Sequence, residues 1–204
     1  MLKKYLLIYF ECIKISVSTA ITYRLNFLLD NFIMIVSNIL FPLVTLLIYG
    51  SGAEFPGWSL YEVLLIQAVF TMSTAVANIF FNGLLWATMH HVIDGSLEIV
   101  LIKPVDCLFY LIASTVDFSS TSLLIGGIIM FAVALSHVGA VTALMVLQFI
   151  VLFLAGVCVM MGISLIMAAT SFKWVGNSRL PEIFNSIKYF GRYPQNIFPK
   201  AISA

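Results

Sequence analysis

The chain has 204 residues, 62 % of them apolar and 9 % charged, with a mean hydropathy of +1.09. Soluble domains run nearer to about 45–50 % apolar and about 25 % charged, so no soluble fold of this length could hide the excess, and the composition is that of an integral membrane protein. The net charge of +1 argues against nucleic acid as a partner. Cys12, Cys107 and Cys158 are too scattered for a metal site or a disulfide framework.

Residues 1–24 predict an amphipathic interfacial helix. Lys4, Glu11, Lys14, Ser18 and Thr22 fall on one stripe, with Leu7, Phe10, Ile13, Val17 and Ile21 opposite. The segment is no secretory signal, because Glu11 and Lys14 interrupt its apolar run. The first span covers 27–49, with Asp30 at its entrance and Pro42 inside, where a kink is expected. A turn over 50–57 follows, and Trp58 stands at the depth where aromatic rings anchor. The second span covers 60–86, the third 108–135 and the fourth 141–172. The fourth is longer than the roughly 20 residues a crossing needs, so it tilts or projects. Ala155, Gly162 and Ala169 recur every seven residues on it and predict a seam for close helix packing. Residues 176–192 are ambiguous: Ile183, Phe184 and Ile187 suit a short fifth span, whereas Glu182, Lys188 and Arg192 suit an interfacial helix. The fold class is therefore all-α and polytopic.

Between the second and third spans lies the long polar stretch 88–107. Gly95 breaks it and Pro104 closes it, and Leu97, Val100 and Leu101 recur at helical spacing between them. The pattern admits a solvated loop or a short amphipathic helix that presents Leu97 and Leu101 to a soluble partner.

Lys3, Lys4, Lys14, Arg24, Lys103, Lys173 and Arg179 all fall on one side of the predicted topology, and the turns at 50–59 and 136–140 hold no Lys or Arg. The excess of positive charge places that side, with the N-terminus and the 88–107 stretch, in the cytoplasm.

Asp94-Gly95-Ser96-Leu97-Glu98 followed by Leu101-Ile102-Lys103-Pro104 resembles the cytoplasmic signature of ABC-2-type transporter permeases, in the branch that carries G-x-L-(D/E)-x-x-L-x-(K/R)-P. Gly57-Trp58, Tyr193-Pro194 and Ile197-Phe198-Pro199 match further landmarks in order. The resemblance implies the membrane subunit of an exporter in the inner (plasma) membrane, paired with a second copy or a sister permease and surrounded by lipid. It implies no cofactor on this chain, with ATP and Mg held by a dimer of separate ATPase subunits. It makes 88–107 the coupling segment: Leu97 and Leu101 pack in a groove of the ATPase, Glu98 and Lys103 set the register, and Gly95 and Pro104 shape the ends. It also implies a fifth span over 176–192 and one further span that this chain stops short of. The substrates it implies are amphiphilic.

Polar residues within the spans supply the other candidates. Gln67, Thr71, Thr74, Asn78 and Asn82 step by three or four and share one helix face, which must meet protein or water. They serve either as interhelical hydrogen bonds or as a wall of the translocation path, to which Asn38 on the first span would add. Asp117 reads as a carboxylate inside the third span that must pair, stay protonated or face a polar crevice. A proton relay there would make the chain an ion-coupled secondary transporter instead. Adjacent His90 and His91 with Asp94 are a thin basis for a third reading, a lipid-modifying enzyme. The chain shows no HExxH, GxSxG or phosphate-binding glycine loop.

Overall fold

Helices account for nearly all of the computed structural model, which describes residues 2–139, 141–174 and 179–194. Helix α1 (Leu2–Thr22) bends at Tyr23 into α2 (Arg24–Gly50), which runs unbroken through Pro42. The capping box of Ser59 and Glu62 starts α3 (Leu60–Ala77), and a π-helical turn at Asn78–Asn82 joins it to α4 (Gly83–Ile93). Then come α5 (Leu97–Leu101), α6 (Cys107–Ser114), α7 (Thr121–Val138), α8 (Ala143–Thr170) and α9 (Arg179–Lys188). Among the described residues, five helical stretches are long and apolar enough to cross a membrane: 3–22, 24–50, 60–93, 118–138 and 143–170.

The core is built around α3. Val63, Ala68 and Ala75 are fully buried, and the helix lies between α2, α7 and α8. Gly127 lets α7 come close, since a Cβ there would stand 2.7 Å from Met72 Cγ. On α8 it is Gly156 that approaches α3, at Ser73. The predicted seam differs: Ala155 and Ala169 are exposed, and nothing lies within 4 Å of a Cβ added at Gly162. A seven-residue repeat sets spacing along a helix but not which face the bundle takes.

One end of the bundle is aromatic. Tyr49 donates its hydroxyl hydrogen to the carbonyl of Trp58 at 2.6 Å, Tyr61 stacks on His137, and Phe55 meets both Tyr49 and Tyr193 edge-on. Counting about 20 residues, one hydrocarbon thickness, from that end on α2, α3, α7 and α8 arrives near Asn31, Ile79, Ser119 and Gly162. The chain is cross-tied at this level. Asn31 Oδ1 accepts from Ser122 N at 3.0 Å, and the Ile79 carbonyl accepts from Asp117 N at 3.0 Å. Everything beyond forms a second, highly charged end, where α1 lies against α6: Lys4 Nζ donates to the Pro104 carbonyl and Tyr5 meets the Phe109 ring at 4.8 Å.

The third span is where structure and sequence differ most. Instead of one helix over 108–135, α6 stops at Ser114, a 3-10 turn occupies Phe118–Ser120, and α7 starts afresh. Asp117 is therefore not inside a span. It caps the 3-10 turn, accepting from Ser119 N at 2.9 Å and Ser119 Oγ at 2.7 Å, and it is exposed. Ser, Thr and Asp compete for backbone partners, and the run Ser114-Thr115-Val116-Asp117-Phe118-Ser119-Ser120-Thr121 holds six of them in eight residues.

Of the stretch 176–192, the described residues 179–192 form α9 and a 3-10 turn (Tyr189–Arg192). Ten α-helical residues rise only about 15 Å, but the chain continues until Tyr193 reaches Phe55 at the aromatic end. Residues Ile197, Phe198, Pro199 and Lys200 lie outside the described residues.

Candidate functional site

The segment between α4 and α6 folds from local rules. Asp94 N closes α4 on the His90 carbonyl at 2.9 Å, and Gly95 takes φ +66°, the left-handed turn that suits glycine. His91 Nδ1 and Ser96 Oγ share a hydrogen bond of 2.7 Å that fastens the turn, while His90 is exposed. Helix α5 then turns Val100 inward, 2 % exposed, against Leu84, Leu111 and Ala168. Burying a valine contributes about 2 kcal/mol, a bias of roughly thirtyfold toward the attached position. The opposite face is apolar and open: Ile99 is 63 % exposed, Leu101 61 % and Ile102 80 %.

The outward face thus differs from the expected pair. Leu101 is on it, but Leu97 is half-buried, because it stands three residues before Val100 and shares its side of the helix. Ile99 and Ile102 were missed. An alternating apolar run has no single stripe, and the bundle alone selects which residues remain outside. Glu98 is exposed. Lys103 lies 3.6 Å over the ring of Tyr110 in its own chain, and Pro104 holds Lys4 through its carbonyl.

A bundle with a short apolar helix clamped under its charged end matches the family described as ABC-2 family transporter protein over residues 32–204. The chain belongs to the ABC-2 transporter family. No curated protein and no solved structure matches it. ABC-2 permeases are transport subunits that work with ABC ATPase partners.

In this ABC-2 protein the polar stripe of the second span divides at the π-helical turn. Its upper part is buried: Gln67, Thr71 and Thr74 lie inside the bundle, and Gln67 Nε2 donates to Thr45 Oγ1 on α2 at 2.8 Å. Its lower part is open. The π turn adds a residue to the helical repeat, which swings Asn82 to an exposed position, and Asn78 and Asn82 line a cleft of about 100 Å³. Across the cleft stand Ser164 and Met167 of α8 and Asn185 and Lys188 of α9.

Asn38 faces elsewhere. Its Oδ1 accepts from Arg192 Nη2 at 2.8 Å, and the guanidinium lies 3.9 Å from the ring of Phe41 and 5.4 Å from that of Phe70. Arg192 is 3 % exposed. The sequence signal was present, a lone arginine opposite an asparagine-bearing helix, but it needed the fold to pair positions 154 apart. Because Pro42 has no N–H, it also leaves the Asn38 carbonyl without its helical donor.

The two halves of the stripe are separable by mutation. Gln67→Leu is expected to lower the melting temperature slightly, since such bonds within membranes are worth about 0.6 kcal/mol. Asn82→Leu, at an exposed position, is expected to leave melting unchanged and to reduce transport. Thermal unfolding in detergent alongside vesicle efflux checks both.

Proposed function

We propose that this chain is the membrane-spanning subunit of an ABC-2-type exporter that moves an amphiphilic substrate with energy from a separate ATPase dimer. The charged end faces the cytosol, as the distribution of Lys and Arg directs, and the membrane is the cell's inner membrane. The observation that carries the proposal is the two-sidedness of α5. Val100 fixes one face to α4, α6 and α8, while Ile99, Leu101 and Ile102 offer an apolar face outward. A push on that face moves three helices together, because Leu84, Leu111 and Ala168 close around one side chain.

The path begins at the cleft lined by Asn78 and Asn82, and a second permease copy or a sister permease completes it. Glu98, beside the docking face, sets charge register with the ATPase, Gly95 makes the turn into α5, and Pro104 ends the segment beside Lys4. Lys103 steadies the segment from within by its contact with Tyr110. No step is routed through Asp117, whose carboxylate caps a helical turn.

Reconstitution into vesicles with its ATPase tests the proposal. Efflux of a fluorescent amphiphile is expected only with ATP and the ATPase together, and to stop with vanadate. Transport that persists without the ATPase under an imposed proton gradient would instead establish a secondary transporter.

A further inference from the structure

The cleft between the π turn, α4, α8 and α9 carries one formal charge. Lys188 faces it together with the amides of Asn78, Asn82 and Asn185 and the hydroxyl of Ser164. Among the described residues no Asp or Glu lines it and Lys188 makes no ion pair or hydrogen bond. A second cavity, of about 470 Å³, opens on the other side of α4, where Gly83 is in the wall, and this one holds Asp30 and Asp117. Helix α4 therefore separates the acids from the lysine. Arg192, one helical turn beyond Lys188, adds further positive potential.

Taking the proposed path as the starting point, we infer that this cleft selects amphiphiles with a compact anionic head, of carboxylate or phosphate size, held by Lys188 and the surrounding amides. An ammonium near the hydrocarbon boundary is costly when no opposite charge faces it, and an anionic head supplies that charge. Amides and a hydroxyl donate the remaining hydrogen bonds and bring no competing negative charge. A cleft of about 100 Å³ admits a head group but not a whole amphiphile. Met160, Ile163 and Met167 in its wall offer the apolar surface along which a tail leaves toward lipid.

Trp86 also lines the cleft and gives a direct readout. With Trp58→Phe and Trp174→Phe, it becomes the sole tryptophan among these 204 residues. In neutral detergent, brominated stearate is expected to quench its emission saturably, and brominated phosphatidylcholine is not. Brominated phosphatidylglycerol separates the two sources of the same chemistry: quenching equal to that of stearate assigns the head site to anionic lipid, and weaker quenching assigns it to single-chain amphiphiles. Lys188→Gln is expected to weaken stearate roughly tenfold or more, with Lys188→Arg retaining it. Gel filtration of each variant checks that it is folded. Equal quenching by phosphatidylcholine, or unchanged affinity in Lys188→Gln, overturns the inference but leaves ATP-driven efflux untouched. Loss of efflux with quenching intact removes the exporter function and not the anion site.

Discussion

Leu101→Asp combined with Ile102→Asp is expected to abolish co-purification of the ATPase and ATP-driven efflux while leaving the permease itself folded. Both side chains are more than half exposed, so the folded chain loses little by their replacement. In the assembled transporter the balance is different. Burying two such side chains is worth about 1.5–3 kcal/mol each, and a carboxylate forced into an apolar groove adds a desolvation penalty. Together these predict a loss of affinity beyond a hundredfold, read as the ATPase retained on an affinity-tagged permease. Val100→Asp is the contrasting variant. It places a carboxylate against Leu84, Leu111 and Ala168, so it is expected to fail in gel filtration before any coupling can be measured. If the Leu101 and Ile102 double variant still binds its ATPase at native strength, α5 is not the docking element.

Gly83→Ala is expected to lower stability more than any other single methyl group added to a described glycine. Its Cβ would stand 2.5 Å from the Thr115 carbonyl oxygen and 2.8 Å from Thr115 Cβ, so the obstacle includes backbone that cannot rotate away. Two irregular segments cross at this point: the π turn ends at Asn82, and the break between α6 and α7 begins after Ser114. The Asp117 N–H bond to the Ile79 carbonyl ties them. Overpacking costs about 1–3 kcal/mol, and at about 2–4 °C per kcal/mol for a chain of this size the melting temperature falls by roughly 2–12 °C. The same substitution at Gly162 serves as the control. Nothing lies within 4 Å of that Cβ, and a helical Gly→Ala change is favourable by up to about 1 kcal/mol, so Gly162→Ala is expected to melt no lower than the native chain. Equal melting of the two variants would show that the crossing can relax. Efflux by Gly83→Ala, measured below its melting temperature, then reports whether motion of α5 reaches the spans through this crossing.

Composition and periodicity alone determined that the chain is all-α and crosses the membrane several times, because an apolar surplus of this size has no other solution in water. They also located α5 between Gly95 and Pro104, since a left-handed turn and a proline are local necessities that depend on few neighbours. The start of α3 is likewise set within a single turn, by Ser59 with Glu62. What sequence could not supply is the facing of each element. Leu97 and Ile102 are equally apolar, and only the position of Leu84, Leu111 and Ala168 decides that Val100 takes Leu97 inward and leaves Ile102 outside. Asn82 looked continuous with Gln67 until the π turn shifted its phase, and Asp117 looked to lie inside the third span until the serines and threonines around it took the backbone out of the helix. Arg192 meets Asn38, and Lys188 comes to share a cleft with Asn82, through a return of the chain that no local pattern encodes. Local chemistry chooses where helices start and stop. Which side chains meet across them depends on which helices become neighbours, and that is a property of the whole bundle.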